Sequence, residues 1–281
     1  MSRLISLAHL SLLFEVAPPE VVTLAAEAGF RAVGLRLNPS RINLKRPQEP
    51  RFPMLGDAPM MRDTLRRLAD TGLQVLDIEM LTLRADTRIE EFLPVLEAGA
   101  RLGAKRVMTC GHDIDERRVT ALFAALCDAA AGFGLGVDIE FMPWLGIGTF
   151  AQAARVVSNA GRPNGCVLID ALHLQRSGGK PADVAALERR HIHHIQLCDG
   201  PLANPSTPSD IADESRFDRC FPGEGELPLL GLLLALPPDV PISVEVPVRE
   251  KMTPQQRAAR AFSSTLAVLA SLHGDYRKVV A

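Results

Sequence analysis

The sequence predicts an α/β chain folded as a (β/α)8 barrel, a single domain over residues 1–281. Three observations lead there. Eight short apolar runs alternate with stretches of helical pattern, each run is apolar at most positions rather than at every second one, and no shift of composition marks a linker. Strands of a parallel sheet are covered on both faces and so read as nearly continuous apolar runs. Roughly 250 residues is the usual size of such a barrel, so 281 residues need not be divided.

The candidate strands are LISLAHL (4–10), AVGLRL (32–37), QVLDIEM (74–80), RVMTCG (106–111), VDIEFM (137–142), CVLIDALHL (166–174), HIHHIQLCD (191–199) and ISVEVP (242–247). Between them lie PPEVVTLAAEAG with Pro18 near its start, MMRDTLRRLADTG, EEFLPVLEAGARLG, ERRVTALFAALCDAAAGFG and TFAQAARVVSNAG, several of which stop at glycine, a common helix terminator. TPQQRAARAFSSTLAVLASL supplies a closing helix. A doubly wound open sheet is the competing fold, but no GxGxxG follows the first strand, which leads into VAPPE instead. The stretch 201–224, PLANPSTPSDIADESRFDRCFPGE, reads as a long polar loop that orders over a ligand.

Composition narrows the partners. Apolar residues make up 47% and charged residues 23%, the balance of a soluble protein with a sizeable core. With a formal net charge of −2 and no run of Lys and Arg, the footprint of a nucleic-acid or anionic-membrane binder is missing. Small-molecule substrates become the expected partners, with self-assembly into a homo-oligomer left open. Five scattered cysteines without CxxC spacing, behind an N-terminus that lacks signal-peptide character, read as reduced thiols of a cytoplasmic protein. The longest apolar run, LPLLGLLLALPP, is too short to span a bilayer and is broken by proline.

Barrel chemistry sits at the C-terminal strand ends. There strand five carries Asp138 and Glu140 on one face, strand six ends in Asp170 with His173 three residues on, strand seven holds HIHHIQLCD, and strand eight has Glu245 inside SVEVP. A lone carboxylate at a strand end is commonly a cap or a loop ion pair. Four consecutive strands ending this way point instead to a divalent metal ion, because a buried unpaired charge costs several kcal/mol, roughly. By alternation His194, Gln196 and Cys198 share a face, with Gln196 nearer the mouth, whereas His193 points away from the axis.

The order of DIEF on strand five, DALH on strand six, HIQLCD on strand seven and VEVP on strand eight resembles the xylose-isomerase-like superfamily of TIM barrels, also called sugar phosphate isomerases/epimerases. The likeness extends over essentially the whole chain, including the opening SLAHL and the late PGEGELPL. It implies one divalent metal ion, Mn, Mg, Co or Zn, held by Glu140, Asp170, Gln196 and Glu245. Gln196 departs from the pattern, since many members place histidine there in an HxH motif. A glutamine looks more like the 3-dehydroshikimate dehydratase branch. The apurinic-endonuclease branch needs a histidine-rich multinuclear site and a basic face, which this composition does not supply.

A metal bound by oxygens holds two adjacent oxygens of a hydroxyketone or hydroxy acid and makes the neighbouring C–H acidic. With Glu140 and Glu245 as acid–base groups and His173 as their partner, return of the proton gives epimerisation or isomerisation, and loss of a β-hydroxyl gives dehydration. The expected function is therefore a metal-dependent isomerase or epimerase of a small sugar or related polyhydroxylated carbonyl compound. A lyase of 3-dehydroshikimate or inosose dehydratase type is the alternative, and a non-catalytic binding barrel the third reading. Arg36 and Glu79 have parity suited to the mouth, Trp144 lies just past Glu140, and Arg216 and Arg219 precede PGEG, where a guanidinium would clamp a carboxylate or phosphate. These five are the expected substrate-binding residues, while His9 and His112 read as structural.

Overall fold

In the computed structural model of the protein, which describes residues 3–37 and 52–279, eight parallel strands close into a barrel in sequence order. They are β1 (Ile5–Leu7), β2 (Ala32–Arg36), β3 (Gln74–Leu83), β4 (Arg106–Gly111), β5 (Gly136–Glu140), β6 (Gly165–Asp170), β7 (Ile192–Leu197) and β8 (Ile242–Val244). Closure runs between the first and last, with Ile5 beside Ile242 and Leu7 beside Val244. The helices are α1 (Pro18–Ala28), α2 (Pro59–Thr71), α3 (Leu93–Arg101), α4 (Glu116–Ala131), α5 (Phe150–Ala160), α6 (Ala171–Arg176), α7 (Pro181–Ala185), α8 (Pro208–Phe217), α9 (Leu229–Leu234) and α10 (Pro254–Val279). None of the described helices is long and apolar enough to cross a membrane.

Alternation along the strands sorts two environments. In β5, Val137 and Ile139 turn outward and are fully buried in a core shared with Phe123 and Cys127 of α4 and Val156 of α5. Asp138 and Glu140 turn inward, so the barrel interior is polar where the jacket is oily. Local chemistry fixes the helix ends. Thr149 and Gln152 form a reciprocal capping box at α5, and the Asp115 side chain accepts the first free N–H groups of α4. Gly29 ends α1 at φ 102°, where a Cβ would meet Phe262 at 2.7 Å, so glycine is required there by backbone and by space.

Four sequence expectations change. β1 stops at Leu7, and His9 enters a single 3-10 turn, His9–Leu12. β6 stops at Asp170 because its carboxylate accepts the His173 N–H at 2.9 Å and so caps α6, which makes 171–174 helix rather than strand. β8 ends at Val244, leaving Glu245 one residue beyond. The polar stretch 201–224 contains α8, capped by the Thr207 hydroxyl on the Asp210 N–H at 3.2 Å with Pro208 in the first turn. That signal, Thr-Pro-Ser-Asp, stands in the sequence and is obscured by the polarity around it.

Candidate metal centre and active site

The barrel brings the four strand-end residues to one mouth. Glu140 and Asp170 close β5 and β6, Gln196 lies across from Asp170 on one side and Ser243 on the other, and Glu245 follows β8. All four are buried. The Gln196 amide nitrogen donates to Glu245 Oε1 at 2.9 Å, while its Oε1 is buried without a partner. His173 Nε2 stands 3.4 Å from Glu140 Oε1, and Glu140, Asp170 and His173 each offer a ligand atom within 4.8 Å of the others. Burial pushes the Glu245 carboxyl well above the usual carboxylate range, against the pull of Arg219. At Asp170 burial acts in the same direction, but Arg219 and His173 outweigh it and hold that carboxyl low.

These residues fit a divalent ion. Three converging carboxylates and one orphaned amide oxygen form an oxygen-rich donor set, the kind that suits Mg or Mn, and a buried acceptor without a donor is costly unless something fills it. Glu140, Asp170, Gln196 and Glu245 would hold the ion. His173, expected as an acid–base partner, lies close enough to take part in the same cluster.

Above the carboxylates opens a cavity of about 140 Å³, walled by Arg36, Glu79, Trp144, His173, Arg216 and Arg219 among others. Arg36 Nε is 3.9 Å from Glu79 Oε2, and its guanidinium lies 4.5 Å over the Phe14 ring. Burial pushes the Glu79 carboxyl up to about 7, despite Arg36. Trp144 packs edge-on to His173 at 5.2 Å and carries the Arg216 guanidinium 5.5 Å from its ring centre. His9 supports this wall from behind: buried, it meets the Val16 carbonyl at 3.0 Å through Nε2 and accepts the Arg36 N–H at 3.1 Å. His112 is exposed.

The two arginines expected to act alike are separated. Arg216 faces the cavity over Trp144, whereas Arg219 points down into the carboxylates, with Nη1 2.6 Å from Asp170 Oδ2 and Nη2 2.9 Å from Glu245 Oε2. The helix that carries Arg216 is tied to the barrel by Arg176 of α6, whose guanidinium grips Glu214 at 2.7 and 2.6 Å and also reaches Asn204 and the Pro201 carbonyl. Neither Arg176 nor Ser215, which bonds Arg219, was marked by sequence. Arg176 follows a predicted strand and Ser215 lies in the polar stretch 201–224, so both acquire a role only through the fold.

Below the mouth lies a second polar layer. His194 is fully buried, with Nδ1 3.1 Å from Asp138 and Nε2 3.7 Å from Asp77. His193 is half-buried against His194, their Nδ1 atoms 3.5 Å apart. Asp138, His193 and His194 could gather around an ion, but the Arg106 guanidinium already engages both Asp138 oxygens at 3.0 Å.

Asp77 gives this layer a measurable signature. Neither of its oxygens has a hydrogen-bond partner, and burial raises the carboxyl to about 6. The folded protein therefore binds a proton more tightly than the unfolded chain, whose Asp titrates near 4, so stability falls as pH rises from about 4 to about 6. Asp77→Asn should remove that loss. Its melting temperature relative to the unmodified protein should climb across this window, approaching the equivalent of about 3 kcal/mol above pH 6.5. A difference that stays constant in a pH series of thermal unfolding would show that Asp77 titrates alike in the folded and unfolded protein.

Comparison with known proteins places this architecture. Over 185 residues, 61% of this chain and 28% of the relative, the chain is 31% identical to a 3-dehydroshikimate dehydratase of Pseudomonas aeruginosa, so it spans little more than a quarter of that protein. Over 203 residues, 64% of this chain and 68% of the relative, it is 29% identical to an inosose isomerase of Bacillus velezensis. Among solved structures, the IOLI protein with a bound zinc atom superimposes with a TM-score of 0.79 at 19% identity, covering 95% of this chain and 98% of that one. The xylose isomerase-like TIM barrel family matches residues 22–269, and the chain belongs to that family.

Proposed function

We propose that this chain is a divalent-metal-dependent enzyme that removes the proton beside the carbonyl of a small polyhydroxylated compound, and that loss of a β-hydroxyl, a dehydration, follows. The observation that carries this reading is the inequality of the two glutamates at the cavity floor. Both Glu245 oxygens are engaged, by Gln196 and by Arg219, while Glu140 meets the His173 imidazole beside the open cavity. Epimerisation by inversion asks for two free bases on opposite faces of the substrate. An unequal pair suits one base, Glu140, with His173 as the neighbouring acid that protonates a departing hydroxyl. A bound divalent ion would polarise the substrate carbonyl. Arg36 and Arg216 orient the substrate, with Trp144 as the wall against which its ring or chain lies.

Gln196 at the strand-seven position and the likeness to 3-dehydroshikimate dehydratases support the same outcome. The second reading is the isomerase or epimerase of a sugar or polyol. The inosose isomerase likeness favours it, because that match covers 68% of the relative against 28% for the dehydratase. Both reactions begin at the same atom. The test is to load purified protein with Mn, Mg, Co or Zn and incubate it in deuterated water with hydroxylated cyclic ketones, with and without a carboxylate, and with ketoses. Proton NMR should show exchange of the hydrogen beside the carbonyl, with a new vinylic signal if water is lost and none if the product is an isomer. No exchange with any metal or substrate would overturn both readings.

A further inference from the structure

We propose that Arg219 is a permanent positive charge of the metal centre that sets both its affinity and its preference for divalent ions. The inference rests on the metal site proposed above. Arg219 is buried and its guanidinium is fully engaged. Nε donates to the Ser215 carbonyl at 2.8 Å, Nη1 to Asp170 Oδ2 at 2.6 Å, to the Glu245 carbonyl at 3.2 Å and to Cys198 Sγ at 3.3 Å, and Nη2 to Ser215 Oγ at 3.3 Å, with Glu245 Oε2 at 2.9 Å. A guanidinium cannot release its proton in a protein, so this charge does not switch off.

It bridges the carboxylates of two different strands, each through one oxygen. The remaining oxygens are held by the His173 N–H and the Gln196 amide, so both carboxylates are fixed without any ion. Glu140, Asp170 and Glu245 contribute three negative charges when ionised, and Gln196 none. With Arg219 the sum is −2, which a divalent ion neutralises and a trivalent ion overshoots. Like charges a few ångström apart in a buried site repel strongly, so the guanidinium weakens metal binding even as it orders two of the ligands.

The two effects predict opposite outcomes on removing the charge. If ordering dominates, Arg219→Gln weakens metal binding. If charge dominates, as we infer, it tightens it. Titrations of metal-free protein with Mn²⁺, followed by electron paramagnetic resonance, and with Tb³⁺, followed by luminescence, separate the cases. Arg219→Gln should bind Mn²⁺ about tenfold tighter and Tb³⁺ about thirtyfold tighter, while its metal-free melting temperature falls. Arg219→Lys should keep the unmodified Mn²⁺ to Tb³⁺ ratio, since it keeps the charge. Equal or weaker Mn²⁺ binding by folded Arg219→Gln would overturn the proposal, as would an unmodified protein that binds Tb³⁺ more tightly than Mn²⁺, a measurement that needs no variant. Failure of the metal site itself looks different: the unmodified protein binds no divalent ion, or Glu245→Gln binds it undiminished.

Discussion

Glu140→Gln should leave the protein folded and reduce exchange of the substrate hydrogen with solvent by about a thousandfold or more, the upper range for removal of a general base. Folding should survive because the amide has the shape of the carboxylate and takes one buried charge out of a crowded site. Glu245→Gln should also suppress turnover, for a different reason. It withdraws one of the two carboxylates that Arg219 bridges and unsettles the Gln196 amide bonded to Glu245 Oε1, so metal content should fall together with activity. Metal analysis alongside the exchange assay in deuterated water distinguishes the two: loss of exchange with metal retained marks the base, loss of both marks the ligand. Exchange surviving in both variants would sink the mechanism.

The contrast between these glutamates also shows where sequence stops being informative. The barrel is legible because its signal is distributed: eight two-sided apolar runs, each followed by helical sequence, admit few other folds. The mouth residues are legible because a carboxylate ending an apolar strand is conspicuous, and that pattern occurs on β5 and β6 and just beyond β8. What does not show is direction. Arg216 and Arg219 are three residues apart in one polar stretch, yet α8 ends at Phe217, so the chain turns between them and sends one guanidinium to Trp144 and the other to Asp170. Asp77 stays hidden for a related reason. Within QVLDIEM it looks like the inward neighbour of Glu79, and only the strand across the barrel, with His194 at 3.7 Å, reveals a buried polar layer beneath the site.

Strand seven carries the most discriminating experiment. Gln196→Leu should weaken metal binding by more than about a hundredfold, since loss of an outer-shell partner alone costs about 10- to 100-fold. The Leu side chain removes the unpartnered Oε1 that would face the ion and the amide that steadies Glu245. Gln196→His should shift preference toward Zn or Co, because imidazole favours late transition metals over Mg and Mn. His194→Gln should keep the metal. Its Nδ1 is held by Asp138 at 3.1 Å and its Nε2, 3.7 Å from Asp77 and without a hydrogen-bond partner, lies a layer below the mouth, with two residues of strand rise, about 6.6 Å, between it and the position of Gln196. That variant should instead lose stability, since Asp138 would keep Arg106 but lose its second partner. Measuring metal content and metal preference in the three variants decides the matter: retention in Gln196→Leu with loss in His194→Gln would move the centre down the barrel to the layer of Asp77, Asp138 and His194.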